Sequence, residues 1–387
     1  MGPEASRDLA VAVIDDTAGL EALRADWEAL QATGPSVSGG QTFAYAEAAW
    51  AWRLPSDTQL RIITVREAGR LVGLWPLHLR RIGAVTLVRH LGTDEGEEYA
   101  EPLIAAAAAA PDKVARALFD AATASGDVLE VRNLSLASPM LAVVEAAGKV
   151  TRRGDPDSPI ASFGAFESWE AFAATRSKSF RQGLRYDRKR LMARARLTFR
   201  EVTPETAGPF VDWIMASKVD WLNQRRIGKS WLRLPQTAAL YKALVGREGT
   251  GVLAFALDSG DQTIAGCLCL LSGDRLEYYI TAFDPALSAF SPGNLLIEDL
   301  GRWCIPRGVH LDFRLTAGDY KLRWSDRREP FRTRVMALGP RGLPYVWGLR
   351  FRDFRLTAVG HARRAAKALL PDDMVKRMKG LLRRRRA

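Results

Sequence analysis

The chain has 387 residues, 47% of them apolar, and a formal net charge of +12. That length is comfortable for two domains with ordinary cores. No apolar run reaches the about 18 residues that span a bilayer, and the N-terminus lacks the basic and apolar regions of a secretory signal. Three cysteines make neither a disulfide framework nor a zinc spacing, and four scattered histidines offer no metal set. A reduced, cytoplasmic protein is the expectation.

Residues 1–8 read as a loose terminus and 9–15 as a short strand. Leu20, Leu23, Trp27 and Leu30 fall at helical spacing within 19–32, and a second helix is predicted over 43–52. Residues 60–65 and 71–79 form a hairpin across Glu67-Ala68-Gly69-Arg70, followed by a strand at 85–91. An acidic stretch, 94–101, precedes a helix at 112–125, a strand at 128–134 and a helix at 140–147. Residues 151–159 read as a turn-rich linker or an exposed hairpin. Ser168 is the expected N-cap of a helix over 168–175.

The charge is concentrated in two places. Residues 176–200 hold ten Lys/Arg against one Asp, and residues 361–387 hold ten against two Asp. The first cluster is a basic helix over 179–195, with Leu184, Leu191 and Met192 expected to pack inward. It reads as a brace between two halves, or as a surface for a phosphorylated ligand or nucleic acid. The tail at 376–386 alternates basic residues with Val375, Met378, Leu381 and Leu382, a pattern that suits either an anionic membrane surface or a solubilising tail.

Between the clusters the order is helix (204–224), helix (234–246), strand (251–258), strand (264–271) and strand (276–283). Cys267 and Cys269 share a strand face and are expected to be buried and inert. The turn Ser291-Pro292-Gly293-Asn294 opens a helix with Leu295, Leu296, Leu300 and Trp303 on one side. A strand follows at 310–315, then a turn at Gly318 and a helix from Asp319-Tyr320-Lys321. Residues 332–338 are the expected last strand of this half, and helices are predicted at 348–370 and 374–382, outside it. A strand, tight turn and helix start can hold a phosphate, because the first N–H groups of a helix are unpaired and its dipole favours an anion. Gly293 lets the backbone approach.

This order, with the anion-binding turn after the third strand, resembles the GNAT acyltransferase fold. Ser291-Pro292-Gly293, Asp312 and Gly318-Asp319-Tyr320-Lys321 with Trp324 resemble its CelD-like branch, associated with cellulose or exopolysaccharide synthesis and related to the Fem-type peptidyltransferases. The usual GNAT turn carries several glycines; here Gly293 stands alone and Pro292 has no N–H. The first half echoes the second without a Pro-Gly turn. The expected class is therefore α/β (α+β): tandem GNAT-like lobes, each a mixed twisted sheet flanked by helices. Residues 1–150 would be a degenerate lobe, 151–200 a linker and bracing helix, 201–345 the catalytic lobe and 346–387 a basic helical tail.

The resemblance implies acyl transfer from acetyl-CoA, or another acyl-CoA, to an amine or hydroxyl of a cell-surface glycan precursor, with no metal. A backbone N–H from Ile280, Thr281 or Ala282 would polarise the thioester carbonyl. Ser291, Gly293, Asn294 and Leu295 would cradle the pyrophosphate, and Lys321 would contact a phosphate or a substrate carboxylate. Tyr320 would protonate the leaving thiolate. Asp312 is either structural, paired with an Arg such as Arg314, or the acceptor's base; Asp319 and Glu277 are further base candidates. Two rival expectations keep the fold: an aminoacyl-tRNA donor, and a degenerate assembly factor for exopolysaccharide synthesis.

Overall fold

The computed structural model describes residues 8–33, 38–52, 57–148, 150–228, 230–315 and 318–369. The helix predicted at 374–382 and the basic stretch at 376–386 lie outside the described residues, whereas the helix predicted at 348–370 is present as the greater part of a helix over 343–369. The first half runs β1 (Leu9–Ile14), α1 (Thr17–Ala22), α2 (Arg24–Thr33), α3 (Phe43–Ala51), β2 (Thr58–Glu67), β3 (Arg70–Ile82), β4 (Val85–His90), β5 (Leu103–Ile104), α4 (Pro111–Thr123), β6 (Val128–Ser135) and α5 (Pro139–Ala146). A middle stretch holds β7 (Val150–Gly154), β8 (Asp157–Ala161), α6 (Trp169–Ala174), α7 (Lys178–Met192) and β9 (Leu197–Glu201). The second half runs α8 (Pro204–Gln224), α9 (Pro235–Leu244), β10 (Val252–Ser259), β11 (Gln262–Ser272), β12 (Arg275–Phe283), α10 (Pro292–Cys304), β13 (His310–Asp312), α11 (Asp319–Trp324) and β14 (Arg327–Ala337), and α12 (Leu343–Leu369) follows.

The strands join one mixed sheet in the order β1-β2-β3-β4-β6-β14-β8-β13-β12-β11-β10-β9, with β5 on β3 and β7 on β14. The two halves repeat one plan. An antiparallel run (β2-β3-β4, then β10-β11-β12) is followed by a crossover helix (α4, then α10) and a parallel strand (β6 on β4, β13 on β12). A parallel neighbour cannot be reached by a tight turn, so the helix is the connection the topology requires. Within the first hairpin, Ala68 and Gly69 both take positive φ, the two-residue turn whose twist suits antiparallel strands.

The halves then exchange strands. β8, next after the first half, pairs with β13 of the second, while β14, at the end of the second, pairs with β6 of the first. β8 and β14 pair with each other at the centre. Of the two readings of residues 151–159, linker or exposed hairpin, the second is nearer: they form two strands, β7 and part of β8, but each pairs with β14 and helps to join the sheet; Pro156 and Pro159 give them the look of a turn. Likewise β14 belongs to both halves rather than closing the second.

Both sheet faces are covered. One apolar cluster joins α2, α3 and α4 to α8, α9 and the Ala254, Ala256, Leu268 and Leu270 face of β10 and β11. The other gathers α6, α7, α10 and the opposite face, including Cys267 and Cys269, which are buried free thiols. Ser168 caps α6, accepting the Ala171 N–H at 3.1 Å. The basic helix α7 buries Leu184 and Leu191 but exposes Met192 at 59%, so the inward stripe ends one residue sooner than its spacing predicts. Arg188 of α7 binds Glu298 and Asp299 of α10 at 3.0 and 2.8 Å, which fastens the brace to the helix that starts at Pro292.

Candidate active site

The site begins where β12 loses a neighbour. β12 and β13 pair only from Arg275 with His310 to Glu277 with Asp312. β13 is shorter than its predicted span of 310–315 because the backbone turns away at Arg314, which takes φ 57°. Tyr278 to Phe283 therefore pair with β11 alone. The Asp284 N–H donates to Ile264 O, so strand alternation turns Ala282 toward β11 and the Thr281 and Phe283 N–H groups toward the open edge. A register shift between Leu268 and Cys269 leaves Tyr279 as an extra residue. This bulge puts the consecutive Tyr279 and Ile280 on the same face, opposite Tyr278, and re-aims the strand end.

α10 starts beside that edge. Ser291 adopts φ 50°, Pro292 fills the first helical position, and the Asn294 and Leu295 N–H groups both turn back to Ser291 O. That leaves the Gly293 N–H at the helix start without a partner among the described residues. Trp324, fully buried among Phe163, Trp169, Phe172 and Phe180, donates its indole N–H to Asn294 Oδ1 at 3.1 Å. The start of α10 is thereby tied to α11, which places Tyr320 opposite the β12 edge.

A cavity of about 560 Å³ lies between these parts and α8. Thr281, Ala282, Ser291, Gly293, Asn294 and Tyr320 all line it. The other expected residues do not. Ile280 and Leu295 are buried behind the lining. Lys321 turns its amine to Phe313 O at 2.6 Å, which closes the foot of the splay. Asp319 is exposed at the surface.

Asp312 is fully buried and lies outside the lining. It accepts from Arg275 Nε at 2.7 Å, the Arg314 N–H at 2.7 Å, the Tyr99 hydroxyl at 3.0 Å and the Ser158 hydroxyl. Burial pushes its carboxyl up, but the Arg275 charge and these bonds outweigh it and hold Asp312 below the usual range. Such a carboxylate is a structural anchor rather than a proton acceptor. Glu277 is also buried, accepting from Arg314 Nη1 at 2.6 Å and from the Gly39 N–H at 2.9 Å.

Sequence reasoning missed the α8 wall. Lys218 and Trp221 on α8 and Arg225 at its C-terminal cap line the cavity at i, i+3 and i+7 spacing, a single stripe. The Lys218 amine sits 5.3 Å and the Arg225 guanidinium 4.4 Å from the Trp221 ring centre. Burial first, then the Lys321 and Arg225 charges, brings the Lys218 ammonium down to about 8. Burial pushes the Tyr320 phenol up to about 12. The cavity thus combines cations without a counter-ion among the described residues, an open strand edge, a helix start and a protonated phenol. That set can hold an anion, polarise a carbonyl and offer a proton. Among the described residues no group of side chains is arranged to hold a metal ion.

Comparison with known proteins bears on the fold that carries this site. Residues 178–324 match the family model described as an acetyltransferase (GNAT) domain. The structure titled "Crystal structure of FemX" superposes with a TM-score of 0.58 at 12% identity, covering 83% of this chain and 96% of that one. The C-terminal domain of a putative lysylphosphatidylglycerol synthetase from Agrobacterium fabrum superposes with a TM-score of 0.51 at 12% identity, covering 86% and 95%. A Bacteroides thetaiotaomicron protein of unknown function reaches 0.50 at 15% identity, covering 84% and 99%. No curated protein sequence matches. These likenesses share the fold, a large mixed sheet flanked by helices, and within it residues 178–324 are the part similar to the GNAT acetyltransferase domain.

Proposed function

We propose that this protein moves an acyl group, acetyl from acetyl-CoA in the first instance, to an amine or hydroxyl of a cell-surface polysaccharide or glycan precursor. The observation that carries this reading is the convergence of the β12 edge, the α10 start, Tyr320 and two uncompensated cations on one cavity. The Thr281 N–H polarises the thioester carbonyl. The Gly293 N–H and the α10 dipole hold a phosphate, and Lys218 and Arg225 supply the charge that Pro292 and the missing glycines do not. Tyr320 donates a hydrogen bond to the sulfur as the C–S bond breaks. Asp220, the one carboxylate on the lining among the described residues, takes the acceptor's proton in place of Asp312 and Asp319.

An aminoacyl-tRNA donor is the second reading, favoured by the exposed Lys178, Arg185 and Lys189 of α7. Steeply salt-dependent tRNA binding that displaces acetyl-CoA would favour it.

Lys218 gives the proposal a pH signature. The free amine titrates at about 8, and an anion bound beside it raises that value, so donor binding takes up a proton. Acetyl-CoA affinity is expected to be highest below that value. It falls as pH rises through it, approaching about tenfold per unit. Lys218→Arg, charged throughout, should be flat over the same range. Calorimetric titration at a series of pH values reads both; a flat wild-type profile would remove Lys218 from the donor site.

A further inference from the structure

The α12 helix carries a surface that acyl transfer does not use. Its inner face packs Tyr345, Val346 and Leu349 against Leu87, Val128 and Val335 of β4, β6 and β14. Tyr345 also donates to Glu130 at 2.8 Å and accepts from Arg89 at 3.1 Å, so this end of the helix is firmly fixed. On the outer face Trp347, Phe351 and Phe354 are 62%, 63% and 70% exposed. At about 100° per residue these three fall within roughly 60° of one another, a single aromatic stripe. Three large aromatics exposed side by side on a fixed helix are unusual for a solvated surface.

The charges around the stripe identify what covers it. Arg350 lies about 60° to one side of Trp347 and Arg355 about 80° to the other, with Arg352 farther round. All three are exposed. Downstream, residues 361–387 add ten Lys/Arg against two Asp. A second copy of the chain would bring these arginines against their own like. An anionic bilayer surface instead takes aromatic rings at the headgroup level and arginines on the phosphates. No helix of the described residues is long and apolar enough to cross a membrane, so the contact would lie along the surface.

We propose that α12 docks the protein on anionic lipid through Trp347, Phe351 and Phe354, with Arg350 and Arg355 on the headgroup phosphates. The sequence pattern that suits an anionic membrane lies at 376–386; this surface is a different one, on α12, and is independent of the proposed chemistry.

The test is sedimentation of the full chain with vesicles of phosphatidylcholine alone and of phosphatidylcholine mixed with phosphatidylglycerol. The variants are Trp347→Ser/Phe351→Ser/Phe354→Ser and Arg350→Glu/Arg355→Glu, with melting midpoints measured to confirm folding. Wild type should partition to the anionic vesicles only. The serine variant should lose about tenfold or more of that partition while keeping its midpoint. Charge reversal should remove much of the salt-sensitive part. Equal partition of wild type and serine variant, or no binding of wild type to anionic vesicles, would overturn the proposal. So would a wild-type dimer in solution that the serine variant converts to monomer, because the face would then be a protein interface.

Discussion

Tyr320→Phe is expected to lower the turnover of acyl transfer by about 10²- to 10⁴-fold, the usual weight of a positioned proton donor. The phenol faces the cavity, and burial alone raises it to about 12, so it keeps its proton through the physiological range. The departing sulfur gathers negative charge at the moment the C–S bond breaks, and a hydrogen bond made only then lowers the barrier without tightening the ground state. The ring meets Phe313 edge-on at 6.3 Å, a contact that phenylalanine preserves. The melting midpoint and donor affinity of the variant should therefore stay close to wild type while turnover drops. Steady-state kinetics with thiol release as the readout separates the two. A variant that turns over normally would mean that the proton comes from elsewhere, with Lys218 the first group to examine.

Arg314→Leu is expected to cost about 3–5 kcal/mol of folding stability, the price of breaking a buried ion pair from one side. The guanidinium is 3% exposed and spans both halves of the chain. It reaches Glu277 at 2.6 Å and Glu97 and Glu98 at 3.3 Å each, and it lies 4.3 Å from the Tyr279 ring centre. Its positive φ, unfavourable for an arginine, is held by these bonds. Burial already pushes Glu97 up, and pushes Glu277 up to about 8 in spite of Arg314. Without Arg314 both carboxyls rise further. A carboxyl raised by folding favours the folded state below its unfolded value, and that advantage is lost as pH climbs through the folded one. The deficit of the variant should consequently be smaller near pH 5 than near pH 8. Urea unfolding at the two pH values checks this, and a deficit independent of pH would show that the carboxylates are not the cause.

How much of this was legible in the sequence depended on range. The turn at Ser291 to Asn294 and the helix start at Tyr320 are local patterns, and the structure brings both to one cavity. The predicted span of α8, 204–224, coincides with the helix. Its lining residues at 218 and 221, continued by Arg225 at the cap, follow helical spacing too, but that spacing alone does not tell a core stripe from a cavity wall. Arg314, Glu97 and Glu277 lie far apart in the chain, so no window of sequence holds the network. The exchange of β8 and β14 was hidden for a similar reason. β8 is short, begins at Asp157 and carries Pro159, and its value as a strand comes from its partners β13 and β14. The β12 bulge is a matter of register, which pairing sets and composition does not.

The central claim is that an acyl donor binds at the Gly293 end of α10, and a thermal-shift titration with acetyl-CoA, longer acyl-CoAs and free CoA tests it most directly. A ligand held only by the folded chain raises the melting midpoint by mass action, by about 2.7 kcal/mol of stability at 100 times its dissociation constant. Wild type should shift. Gly293→Ala should still fold, because an added Cβ meets Phe283 at an ordinary 3.8 Å. Gly293→Trp should fold and lose the shift, because the indole fills the cavity mouth. No shift with any thioester, or an equal shift in wild type and Gly293→Trp, would contradict the account.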